Sequence, residues 1–286
     1  MINAIEFMFL PFLACILLIG INIYFGIHVI KRDIIFINIA FGQIAAFGSS
    51  IASIVIEIDH GQEGHTHEEN GLMAYLFSVL FITLAAGVFT FLKDNRSKMS
   101  LEALIGISYA ISATGAVILL DKAAGGDVHV HEMLAGSILW VGIGDILKLG
   151  AVFVIIGLFH YVFRDKFIQL SDNYLNNDWE GKHKKLWDFL FFLSFGVVII
   201  HAVEVGGILT VFAFLVIPAS ISLLFAESWM KRIIIGWCIG TIVSVFGLYL
   251  SWILDIPSGP TVILFLGVSL LVAVIFKVFM KKRIAA

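Results

Sequence analysis

His201 and Glu204 stand three residues apart in the segment HAVE, inside a run that is otherwise apolar. On a helix that spacing puts an imidazole and a carboxylate on one face, and together they are a serviceable ligand pair for zinc or a similar divalent ion. Ionisable side chains are costly inside a bilayer, so their presence there is a functional hypothesis by default. A structural account competes with it: a pair near a membrane surface, partly wet, with His201 hydrogen-bonded to Glu204 or to a neighbouring helix. A second set of candidate ligands lies in two polar segments. Residues 59–71, DHGQEGHTHEENG, carry His60, His65 and His67, and residues 121–133, DKAAGGDVHVHEM, carry His129 and His131. Imidazoles among carboxylates suit borderline divalent metals. Against that, flexible segments lose entropy on ordering around a ligand, and acidic polar loops also serve simply to stay solvated.

The elements that position these residues are membrane helices. Of the 286 residues 60% are hydrophobic and 14% charged, where a soluble domain carries about 25% charged. The expected fold is an all-α, polytopic transmembrane bundle forming a single domain over residues 1–286. A span needs roughly 20 apolar residues, which places spans near 6–30, 34–57, 72–92, 101–120, 146–163, 188–205, 207–225, 233–254 and 261–279. Only Gly206-Gly207 separates 188–205 from 207–225, so one broken helix plus a re-entrant piece is the alternative, giving eight or nine spans. With nine, sixteen of the 18 Lys and Arg fall on one side, which the excess of cations in cytoplasmic loops identifies as the cytoplasm of a plasma (inner) membrane. Lys122 and Lys148 are the two exceptions. The N-terminus is then outside and the C-terminal KKRIAA inside, both histidine-bearing segments face outward, and residues 164–188 form a cytosolic connector with a short amphipathic helix. MINAIEFMF lacks the positive n-region of a cleaved signal, so the first apolar run reads as a retained span.

Other residues carry structural readings. His28 and His160 near inner span ends are read as structural histidines that reach the interface, and His183 as a solvated one. Asp145 and Asp255 are read as cap or turn residues. Pro218 is expected to break or kink its helix. Cys15 and Cys238, both within apolar runs, suggest neither a disulfide framework nor a thiolate metal site, and no basic face exists for nucleic acid.

Five segments in register carry a resemblance: GIHVIKRDIIF (26–36), LEALIGISYAISATGAVILL (101–120), LAGSILWVGIGD (134–145), GGILTVFAFLVIPAS (206–220) and DIPSGPTVILFL (255–266). Together they resemble the membrane subunit of the ABC transporters that import zinc, manganese or iron, the ABC-3 permease family. The resemblance implies two permease copies working with two copies of a cytosolic ATPase subunit and fed by an extracytoplasmic metal-binding protein. It also implies that the segment from Pro218 through Ser220 and Glu227 to Lys231 couples to the ATPase, and that a divalent ion is the substrate, with no bound cofactor. Independently, the chain has no GxxxxGK[ST] phosphate loop, so an ATP-driven step needs a second polypeptide. The sequence departs from the family in the second span. Where the family carries an Asp and a His four residues apart, FINIAFGQIAAFG has Ile39 and Gln43, neither of which offers a charged or imidazole ligand. The cargo site is then either relocated, with His201 and Glu204 as candidates, or the cargo is a metal chelate or another solute.

Two further classes compete. A stand-alone secondary transporter or channel would use His201 and Glu204 as ion relays, and an adjacent ATPase gene would argue against it. An intramembrane enzyme is poorly supported, because HAVE is not HExxH and no nucleophile is paired with a base. Nothing in the residues distinguishes import from export.

Overall fold

The computed structural model describes residues 4–60, 67–93, 100–120, 138–174 and 183–285. Among them are ten α-helices: α1 (Ala4–Lys31), α2 (Ile37–His60), α3 (His67–Lys93), α4 (Leu101–Leu120), α5 (Ile143–Val162), α6 (Arg164–Asp172), α7 (Lys184–Gly206), α8 (Ile208–Phe225), α9 (Trp229–Leu254) and α10 (Ser258–Ala285), with a 3-10 turn at Ile138–Trp140. All but α6 are long and apolar enough to cross a membrane, nine candidate spans among the described residues. The chain forms two compact units, one of Met1–Arg32, Leu134–Tyr161 and Ala202–Ala286, the other of Asp33–Met133 and Val162–His201.

In the first unit α8 is the hub, packing against α1, α9 and α10. Its length is apolar and it buries most of its circumference between Ile208 and Ser222, leaving Leu209 half exposed on the remaining face. Small residues set how closely its neighbours come. Gly26 of α1 lies so near that a Cβ built on it would stand 2.0 Å from the Leu215 carbonyl oxygen. In α9 the buried positions are Gly236, Gly240, Ser244, Gly247, Leu248 and Ser251, a stripe three or four residues apart with Ile19 and Ile23 of α1 against Gly240 and Gly236. By contrast α5 buries Ile146, Leu149, Phe153, Ile156 and His160 and leaves Leu147, Val154, Ile155 and Leu158 exposed. Outward apolar surface of this kind is what a bilayer solvates.

In the second unit α2 packs on α3 and α4. Phe41 stacks on Phe89 with centroids 5.7 Å apart and meets Phe195 of α7 at 5.9 Å, while Gly196 of α7 faces Ile82 of α3. The Ser78 hydroxyl donates to the Ala45 carbonyl at 2.9 Å, a polar tie between α3 and α2. The amphipathic segment expected after residue 164 is α6, which buries Phe167, Leu170 and Ser171 and sets Phe167 edge-on to Trp187.

The structure decides between the alternatives left open at residues 188–225. α7 begins at Lys184 and has 23 residues, α8 has 18, and each qualifies as a span. The break between them is Gly207, whose φ of 73° is left-handed and falls to glycine because any Cβ would be strained there. Of the break or kink expected at Pro218, the break does not occur: α8 runs through it to Phe225. Proline inside a membrane helix is tolerated where neighbouring helices satisfy the backbone, and Pro218 is buried in the most enclosed helix of its unit.

Candidate functional site

Glu204, on the last turn of α7, pairs with a residue that the motif reading passed over. Lys148 of α5 donates to both carboxylate oxygens, at 3.1 Å each. The two side chains are 51% and 54% exposed, so the pair is open on one side and closed on the other. Within its own unit the arrangement is an internal cation seated on the carboxylate proposed as a metal ligand. A signal existed in the sequence, because Lys148 is one of the two cations outside the basic clusters. One turn before it, Asp145 accepts from the Gly142 N–H at 2.9 Å, which is the capping role expected for it at the start of α5.

His201 is buried, at 3% exposure, and its ring lies 5.2 Å from that of Tyr75, tilted by 34°. The partly wet setting considered for the pair therefore describes Glu204 and not His201. Three positions along one helix, less than a turn, take the chain from a closed imidazole to an open carboxylate. Of the loop ligands, His60 ends α2 and His67 begins α3, while His65, His129 and His131 lie outside the described residues. Among the described residues no three His, Cys, Asp or Glu gather in a metal-binding group. At the positions where the family carries its Asp and His, Ile39 is half-buried and Gln43 is buried. Beside Ile39, Asn38 is fully buried with neither amide atom hydrogen-bonded.

Two histidines read as independent structural residues are brought together. His28 of α1 and His160 of α5 are both buried and both flank Tyr24: its ring lies 4.5 Å from that of His28 and 5.3 Å from that of His160, and the phenol oxygen is 3.0 Å from His160 Nδ1. His28 also faces Trp229, the first residue of α9, at 4.5 Å. The i, i+4 spacing of Tyr24 and His28 is visible in the sequence; that His160 joins them across 136 residues is not.

Of the residues assigned to coupling, Pro218 is buried and Ser220 half-buried inside α8, while Glu227 and Lys231 are exposed. Between α8 and α9 only residues 226–228 are non-helical, with Ala226 extended at φ −136° and ψ 148°. The interruption between the helices is thus confined to a short turn carrying the exposed Glu227, with Met230 and Lys231 exposed in the first turn of α9.

A family model described as the ABC 3 transport family matches residues 4–277. The "Manganese transport system membrane protein MntC" of Listeria monocytogenes is 24% identical over 195 residues, covering 66% of this chain and 69% of that protein. The "Manganese import system permease protein ScaB" of Streptococcus parasanguinis is 24% identical over 204 residues, covering 71% and 72%. Among solved structures, "PsaBC from Streptococcus pneumoniae in complex with Fab" superposes with a TM-score of 0.74 at 20% identity, over 95% of this chain and 92% of that one, a likeness of fold. With the five motifs, nine candidate spans and a family match over nearly its whole length, the chain is a multi-pass membrane protein and belongs to the ABC 3 transport family.

Proposed function

We propose that the chain is the membrane-embedded permease subunit of an ATP-driven importer of a divalent metal ion, manganese before zinc or iron, working by alternating access. The observation that carries this reading is the family match over residues 4–277, and the relatives named for manganese transport order the metals. Two copies would form the permease, a cytosolic ATPase would bear on the segment from Pro218 to Lys231 through its turn at residues 226–228, and an extracytoplasmic binding protein would deliver the ion. The N-terminus then lies outside and the C-terminus inside. The chain does no hydrolysis itself; that chemistry belongs to the ATPase subunit.

A second reading, a metal chelate or another solute as cargo, is favoured by two particulars. Ile39 and Gln43 offer no charged ligand, and the Glu204 carboxylate is already held by Lys148. One reconstitution separates the readings. The chain is assembled with its ATPase in vesicles, and ATP-dependent uptake of manganese, zinc and ferrous ions is followed for the native protein, His201→Ala and Glu204→Ala. Uptake of a bare ion, lost in either variant, supports the metal importer with a relocated site. Native uptake retained in both variants removes His201 and Glu204 from the path. Absence of uptake of any bare ion rejects the metal reading in favour of the chelate, and uptake without nucleotide rejects the ATP-driven reading in favour of a secondary transporter.

A further inference from the structure

The turn between α8 and α9 is held by cations from three helices. A helix end leaves its last four carbonyls without intrahelical donors, and at the end of α8 two of these groups, with the carbonyl just beyond, have partners. The Ser222 carbonyl accepts from the Ala226 N–H at 3.0 Å. The Leu224 carbonyl accepts from Lys277 Nζ of α10, and the Ala226 carbonyl, just beyond the helix, accepts from Arg232 Nε of α9 at 2.9 Å. On the other side of the turn, Lys31 of α1 places its ammonium 4.9 Å from the centre of the Trp229 ring, inside the range of a cation–π contact, and His28 packs on the same ring. Cations at a helix C-terminus also complement its dipole.

Pro218 gives this arrangement a mechanical meaning. Proline has no N–H to donate one turn back, so a helix is most easily bent there. A force applied to the turn is absorbed by bending at Pro218 or by fraying the seven residues that follow it, unless the end of α8 is tied to its neighbours. We propose that Lys277, Arg232 and Lys31 are positioning residues that make the residue 226–228 turn one body with the adjoining ends of α1, α9 and α10, so that movement imposed on the turn reaches the spans. The inference rests on the importer reading, in which the ATPase bears on this turn.

The test uses two measurements on Lys277→Met/Arg232→Gln, on Lys31→Met and on the conservative Lys277→Arg. In the purified chain in detergent, amide exchange at Ala226 is followed by mass spectrometry. Loss of a charge-assisted hydrogen bond should speed it about ten-fold in the double variant, with Lys277→Arg near the native rate. In vesicles with the ATPase, manganese ions moved per ATP hydrolysed should fall about ten-fold in the double variant and drop in Lys31→Met, with hydrolysis within about two-fold of native and Lys277→Arg restoring the ratio. Unchanged exchange at Ala226 overturns the fastening. Faster exchange with an unchanged ratio of ions to ATP makes the cations structural and overturns the coupling role. If the native complex moves no manganese with ATP, the importer reading itself has failed, and this inference falls with it.

Discussion

Gly26→Ala is the most revealing single change in the first unit, because it adds one methyl where two helix backbones nearly touch. The new Cβ would stand 2.0 Å from the Leu215 carbonyl oxygen and 3.0 Å from Ala219 Cβ, against an ordinary contact of 3.4 Å or more. The oxygen belongs to a helix and cannot rotate away, so α1 and α8 must part by about 1.4 Å. Overpacking of this order costs about 1–3 kcal/mol, and a clash with backbone belongs at the upper end. Alanine returns up to about 1 kcal/mol through helix propensity, leaving a net loss of about 1–2 kcal/mol, or roughly ten-fold in the folded-to-unfolded ratio. Gly20, on the same helix, has nothing within 4 Å of its would-be Cβ, so Gly20→Ala keeps the propensity gain without the clash. Unfolding in mixed micelles by titrated detergent should order the proteins Gly20→Ala, native, Gly26→Ala from most to least stable. Equal stability of the two variants would refute the close approach of α1 to α8.

Tyr24→Phe removes the phenol that meets His160 while keeping the ring between His28 and His160. It should cost about 1 kcal/mol, the net worth of one hydrogen bond, in the same unfolding assay, and His160→Phe in the Tyr24→Phe background should cost less than in the native protein. A double-mutant cycle on Lys148→Met and Glu204→Gln should return a small coupling, about 0.2–1 kcal/mol, because both side chains are half exposed and solvent screens them; raising the salt concentration should shrink it further.

The amino-acid order alone determines that this is a membrane protein and where its helices run. Lipid offers no partner for backbone groups, so apolar runs of span length become helices, and α3, α4 and α9 lie close to where hydropathy puts them. Five short motifs were enough to place the chain among its relatives. The same reading left alternatives open at two points along the chain. Whether Gly206-Gly207 divides two helices or bends one depended on a single backbone angle at Gly207, and whether Pro218 ends α8 depended on what surrounds it. The chemistry of the candidate site was the least legible of all. His201 and Glu204 share a helix face by spacing, yet one is buried against Tyr75 and the other is neutralised by Lys148, 56 residues away in the chain. Tyr24 and His160 meet across 136 residues, and the ties on the turn between α8 and α9 come from helices that the turn does not adjoin as well as one that it does. Periodicity fixes which face of a helix a side chain occupies. Which charge, ring or carbonyl waits opposite that face is settled only when the helices pack.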